Sequence, residues 1–373
     1  MVSAYSHVQL PKGPEAWPPS AAWPAAMHAG VGKLKALAQR WGLEPGASPI
    51  LVAVSGGADS LALAAAAAET QRVTGLSFGA VILDHKLQNV TAEVTQRAAQ
   101  ICKAFGLAPV LTDALQVTEQ GDGLEAAARK ARYDAFVRMT DTTHAAGVVT
   151  AHTADDQAEQ VLLGLARGSG LRSLAGIREF REHALAGYKP INIGRPFLEL
   201  TRNDTETICG WAGIQYFQDP MNDDPSISRI RVRQHLLPVL TDPRTGLGPG
   251  VFSGLVTTAA LAADDMDVLE EFAAETYCAL AVEETTQIHF PLRELQVLKP
   301  AILRRVVALA VQHFDAPQPS AERLAAIQNL VFPPIGRASS AGPVQIEGHV
   351  SVYREKVTQE YAKLLVIRSD SSD

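Results

Sequence analysis

A chain of 373 residues, 47% hydrophobic and 20% charged, has apolar content for two or three domains with real cores, which excludes a peptide-sized module and a disordered chain. A net charge of −7 argues against indiscriminate nucleic-acid binding but leaves a local basic patch open. Three scattered cysteines, Cys102, Cys209 and Cys278, form no Cys-x-x-Cys pair, so neither a disulfide framework nor a metal cage is expected.

Residues 1–48 read as an extension rich in Pro, Ala and Trp, followed by an amphipathic helix with Met27, Val31, Leu34, Leu37 and Trp41 at helical spacing. The opening residues do not follow a basic-then-apolar leader pattern and the apolar runs are short, so the expectation is a cytoplasmic protein with no membrane partner. Across residues 49–219 the apolar runs "ILVAVSGG", "LSFGAVILDH", "LAPVLTDAL" and "AAGVVTAH" alternate with helical patterns over residues 91–105 and 123–139. That alternation predicts an α/β fold, a parallel sheet with helices on both faces. Ligands of such sheets sit beyond the carboxyl ends of the strands, which here carry Ser55-Gly56-Gly57, Asp84-His85 and His152. Pro220 and Pro225 mark a boundary near residue 220, with a helical second domain over 220–314 and a small C-terminal segment with β-strands over 315–373.

The junction "SGGADS" lacks the Lys-Ser/Thr of a Walker A loop, so it needs another way to hold phosphate. Ser55 and Ser60 offer hydroxyls, Gly56 and Gly57 offer unobstructed N–H groups at a helix start, and Asp59 offers a carboxylate for Mg²⁺ on a polyphosphate. A glycine turn with a capped helix is the bland alternative. His152, Asp155, Asp156 and Glu159 fall at i, i+3, i+4 and i+7, one helical face that could hold a cation or steer an ammonium group; an N-cap with solvated acids would use the same residues. Arg129 and Arg132 share one side of a helix, where they reach phosphates or an RNA backbone, or simply salt-bridge in solvent. In "ARGSGLRSL" Gly168 suits a helix C-cap, and the loop after it can close over a substrate. In a helix Arg229 and Arg233 align while Arg231 points elsewhere.

The string Ser55 to Ser60 is the signature of the N-type ATP pyrophosphatases, the PP-loop family. Over residues 49–240 the chain resembles the tRNA(Ile)-lysidine synthases within it, through "LDHKLQ", "LEAAARKARYDAF", "HTADDQAEQVLLGLARGSGLRSLAGI", "RPFLELTR" and "DPMNDDPSISRIRVRQHLLP". The resemblance implies an adenine nucleotide α-hydrolase-like fold and a ligase that uses ATP with Mg²⁺, L-lysine and a tRNA(Ile) with a CAU anticodon to form lysidine. It implies ATP contacts at Ser55, Gly56, Gly57, Ala58, Asp59, Ser60, Asp84 and His85, with Asp59 anchoring the metal. Arg132, His152, Asp156 and Arg233 join Asp59 as catalytic residues. Arg129, Asp155, Glu159, Arg167, Gly168, Ser169, Gly170, Arg229 and Arg231 bind tRNA or lysine, and the 220–314 region grips tRNA through arginines after Ser228 and around Arg304 and Arg305. The sequence leaves a homodimer open. Gln160, Ile230 and Lys86 depart from the family's usual Thr, Asn and Gly. A PP-loop tRNA thiolase and a non-catalytic tRNA-binding protein are the competing readings; the first wants cysteine pairs absent here, the second would have no need of an intact loop.

Overall fold

The computed structural model describes residues 9–84, 91–115, 124–168, 170–219, 223–332, 342–356 and 363–369. Two compact units divide the chain, Met1–Gly168 with Ser173–Ala260, and Ser169–Arg172 with Leu261–Asp373.

In chain order the elements as far as Thr241 are α1 (Ala25–Arg40), β1 (Ile50–Val54), α2 (Ala58–Thr74), β2 (Phe78–Asp84), α3 (Thr91–Ala104), β3 (Val110–Ala114), α4 (Leu124–Thr143), β4 (Gly147–Val149), α5 (Ala154–Arg167), α6 (Leu171–Leu174), β5 (Phe180–His183), β6 (Ile191–Gly194), α7 (Arg202–Ala212), α8 (Ser228–Arg231), a π turn (Val232–Leu236) and α9 (Leu237–Thr241). The strands form one sheet in the order β3-β2-β1-β4-β6-β5, parallel except for β5 at the edge. Side chains alternate across each strand, so Ile50, Val52, Val54, Phe78, Ala80 and Ile82 face one core while Leu51, Val81 and Leu83 face another. Helices α1, α2, α3 and α7 supply the first core and α4 the second, which puts helices on both faces of the sheet. Residues 61–68 of α2, six of them alanine, are all at most 2% exposed; their small side chains let the helix sit between β1 and α7. The pair β5 and β6 carries no apolar run long enough to announce itself, and only pairing with β4 makes it sheet.

The extension packs from Gln9 onward: Trp17 stands edge-on to Phe105 and Trp211, with centroids at 5.0 and 5.2 Å, and Arg97 donates to the Gln9 carbonyl at 2.6 Å. The first unit runs to Ala260 and does not end near residue 220. The reason is apolar: Val232 and Leu237 bury against Ala158 of α5, with Leu162 and Leu163 alongside.

Helix α10 (Gly250–Leu280) leads to β7 (Val282–Glu283), β8 (Gln287–Pro291), α11 (Leu292–Gln296), α12 (Pro300–Gln312), α13 (Ala321–Val331), β9 (Val344–Ile346), β10 (Val350–Lys356) and β11 (Lys363–Ser369). These strands make an antiparallel sheet in the order β7-β8-β11-β10-β9. The segments on either side of residue 314 are therefore one unit, because β11 pairs with β8 and Ile288, Phe290, Val350, Val352 and Ile367 share a core with Val306, Val307 and Val311 of α12.

Candidate active site

Strand β1 has β2 on one side and β4 on the other, so the chain reverses its direction of winding between β1 and β4. A crevice at the carboxyl ends of those two strands is where an open α/β sheet takes a ligand. After β1, Gly56 has φ +89°, and a Cβ there would lie 2.6 Å from Val94 Cγ1; both the turn and the close approach require glycine. Ser60, only 6% exposed, braces the loop: its Oγ accepts from the Ser55 N–H at 3.1 Å, lies 3.2 Å from Ser55 Oγ and donates to the Gly57 carbonyl at 3.0 Å. Gly57 caps α2 without a side-chain hydrogen bond, so the positive end of that helix is open toward the crevice. Asp59 in its first turn accepts from Thr205 Oγ1 at 2.5 Å and Arg202 Nη2 at 3.4 Å. Burial raises its pKa, opposed by Thr205 and Arg202 and assisted by Asp156. Among the described residues there is no group of three or more His, Cys, Asp or Glu able to cage a metal; a single carboxylate beside a phosphate chain is nonetheless an ordinary setting for Mg²⁺.

Beyond β4, Thr153 is the N-cap of α5, with φ −110° and ψ 175°. His152 therefore precedes the helix and does not share its face with Glu159, contrary to the spacing argument. Its Nδ1 lies 2.9 Å from Thr150 Oγ1. The two aspartates that follow diverge. Asp155 accepts the N–H of Arg202 at 2.8 Å, tying the starts of α5 and α7 together. Asp156 accepts the Thr153 N–H at 2.9 Å through Oδ2 and leaves Oδ1 3.8 Å from Arg233 Nη2. The side chain of Glu159 is 0% exposed and takes Arg233 at 2.6 and 3.2 Å and Arg229 Nε at 3.4 Å. Arg229 also donates to Gln160 at 3.2 Å, so the departure from Thr at this position has a partner in the structure. Arg233 sits in the π turn, a local widening of the helix often found at working sites. Arg231 turns away, to the carbonyls of Pro225 and Ser226 at 2.7 Å each.

His152 is pushed down to about 3, first by burial and then by Arg195, Arg132 and Arg129, with Asp156 opposing. It is a neutral imidazole near pH 7. Burial likewise lowers Arg132, with Arg129, Arg195 and Arg229 adding to the repulsion. Asp84 ends β2, half-buried. Arg167 is exposed in the last turn of α5, Gly168 is its left-handed cap with φ 65°, and Gly170 has φ 72°. His85 and Ser169 lie outside the described residues. Residue-type reasoning missed Arg202, Thr205, Tyr133 and Arg195; the first two had a visible signal, the Thr201/Asp204 capping box that starts α7.

Residues 31–240 match the PP-loop domain family. The tRNA(Ile)-lysidine synthase of Leifsonia xyli subsp. xyli is 43% identical over 270 residues, covering 72% of this chain and 77% of that protein. This chain belongs to the tRNA(Ile)-lysidine synthase family of PP-loop enzymes. Its relative from Salinispora arenicola is 45% identical over 61% of this chain and 66% of its own length. Among solved structures, the U34-tRNA thiolase NcsA from Methanococcus maripaludis superposes with a TM-score of 0.50 at 15% identity, covering 64% of this chain and 80% of that one, a likeness of fold alone. The family match ends within α9, after the arginines that meet Glu159, so α8 and the π turn belong with the PP-loop domain by relatedness as well as by packing. Among the described residues no helix is long and apolar enough to cross a membrane.

Proposed function

We propose that the protein ligates L-lysine to C2 of the wobble cytidine of a tRNA(Ile) with a CAU anticodon, through an adenylated cytidine, releasing AMP and diphosphate. The observation that carries this reading is the placement of two chemistries at one sheet edge: an open helix start after β1 and an acid and imidazole set after the neighbouring β4. The first suits the phosphates of ATP, with N–H groups of the 55–60 loop as donors. Asp59 and the phosphates would hold Mg²⁺, which neutralises charge on the phosphate chain. Arg132 stabilises negative charge developing as the cytidine oxygen attacks the α-phosphorus. The second suits an incoming ammonium. Asp156, whose Oδ1 is its less engaged oxygen, attracts the cation. His152, neutral, orients the amine as a hydrogen-bond partner and is too weak a base to retain its proton near pH 7. Glu159 is satisfied by Arg229 and Arg233, so it acts by holding those arginines toward the same crevice.

A thiolase reading is weaker, since Cys102 and Cys209 are core residues whose thiols burial pushes up to about 12, and Cys278 is an exposed residue of the second unit. The test is incubation of purified protein with ATP, labelled L-lysine and total bacterial tRNA. Label is expected in tRNA with AMP in proportion; incorporation of sulfur or ammonia without lysine overturns the assignment. Asp59→Ala should abolish tRNA-dependent diphosphate release in a folded protein, and Asp156→Asn should bind ATP yet lose lysine transfer.

A further inference from the structure

The residues ahead of α1 precede the stretch that matches the PP-loop domain, 31–240, yet they are seated on the two helices that touch the 55–60 loop. Helix α3 meets the loop near its start: the close approach that requires glycine at 56 is made by Val94 Cγ1, with the Val94 carbonyl and Ala98 Cβ behind it. Helix α7 meets the loop at its own start, through Thr205 and Arg202 on Asp59. Residues 9–17 run alongside α3 in the same direction. The Gln9 carbonyl accepts from Arg97 at 2.6 Å, and Gly13 lies so near the end of the helix that a Cβ would stand 2.4 Å from the Ala104 carbonyl oxygen. Trp17 then stands edge-on to Phe105, just past α3, at 5.0 Å and to Trp211, near the end of α7, at 5.2 Å. It thus joins the far ends of the same two helices. Among the described residues the indole N–H groups of Trp17 and Trp211 have no hydrogen-bond partner, so this joint works by shape and packed area.

We propose that residues 9–17 brace the ATP loop, with Trp17 as the positioning residue: by holding α3 and α7 at their far ends, the segment sets how closely Val94 backs Gly56 and where Thr205 holds Asp59. From Ala104 back to Val94 is about 15 Å along the helix axis, and a close-packed interior transmits displacement over such a span. A loop whose N–H groups must converge on one phosphate chain binds more tightly when it is ordered before the ligand arrives, because ordering on binding is subtracted from affinity. The inference rests on the proposed function only in taking the 55–60 loop as the seat of ATP.

The test perturbs the brace from the end remote from the loop. Gly13 has φ −75° and ψ 174°, a backbone open to alanine, so Gly13→Ala acts by pushing the segment off Ala104. Trp17→Ala removes the joint, and Trp17→Phe keeps an aromatic edge there. Hydrogen exchange is followed without nucleotide over residues 52–60 and 94–99, and affinity for ATP with Mg²⁺ by calorimetry without tRNA or lysine, at a temperature where circular dichroism shows each variant folded. Gly13→Ala and Trp17→Ala should speed exchange in both stretches and weaken ATP about fivefold, while Trp17→Phe stays within about twofold of wild type. Ile50→Ala, which cuts into the same core at the amino end of β1, should lower overall stability and leave ATP affinity within about twofold. Unchanged exchange over 52–60 in Gly13→Ala overturns the brace, whatever the protein's affinity for ATP. Unchanged ATP affinity in both Gly13→Ala and Trp17→Ala overturns it too, as does an equal loss in Ile50→Ala. A protein that behaves as expected here and attaches no lysine would sink the functional reading alone.

Discussion

Helices α5 and α4 each present charge to arginines, with opposite outcomes. On α5, Glu159 gathers Arg233 and Arg229 from α8 and the π turn, so a fully buried carboxylate is matched and the two segments are pinned together. On α4, Arg129 and Arg132 gather with Arg195 around a phenol, and no carboxylate joins them among the described residues. A buried carboxylate is tolerated when cations meet it, as Arg233 and Arg229 meet Glu159, whereas Arg195 is buried with only a carbonyl and a phenol as partners. The first group joins α8 and the π turn to α5, and the second leaves its guanidiniums without an acid among the described residues.

The largest effect should come from the uncompensated group. Arg132→Ala is expected to lower the rate of tRNA-dependent diphosphate release by about 10² to 10³, the usual loss when one donor aimed at developing charge is removed. Steady-state kinetics on Arg132→Ala beside Arg138→Ala, an exposed arginine of the same helix, checks this, and equal losses in both would erase the distinction. Next comes the compensated group: Glu159→Ala leaves Arg233 and Arg229 without their partner and should cost on the order of 2–3 kcal/mol in urea unfolding. That is below the fully buried case because their side chains are 23% and 37% exposed. Adding Arg233→Met to that variant should recover part of the loss, since the two changes share one interaction.

A third expectation concerns pH. His152 has a folded pKa of about 3 against an ordinary 6.5, so between those values the unfolded chain binds a proton that the folded one does not. Stability from this group is present above about pH 6.5 and is lost as pH falls toward about 3. Asp59 and Glu159, raised by burial, contribute with the opposite slope just above the ordinary carboxylate range. His152→Gln should therefore flatten the acid limb of a stability profile across that window, and an unchanged limb would contradict the neutral imidazole. The smallest effect is expected at Arg229→Met, about 0.5 kcal/mol, because its contact with Glu159 is long at 3.4 Å and the side chain is 37% exposed.

Several of these features were legible without coordinates. Apolar runs bounded by glycine and polar residues located β1 to β4, and the short strings around Ser55, Arg129, His152 and Arg229 located the candidate site and its family, because backbone conformation and phosphate contact restrict residue choice locally. Gly56 is the clearest case: its positive φ and its contact with Val94 allow nothing larger. What the sequence alone did not determine is direction. The i, i+3, i+4 and i+7 spacing placed His152, Asp155, Asp156 and Glu159 on one face, yet the N-cap at Thr153 removes His152 from the helix, the start of α7 claims Asp155, and Arg229 with Arg233 claims Glu159. Likewise β5 and β6, the extent of the first unit to Ala260 and the joining of β8 with β11 depend on pairings between distant segments. Local strings encode backbone and residue type; which partner each side chain meets is set by long-range packing, where burial of Val232 against Ala158 or Phe290 against the second core outweighs any signal within a few residues.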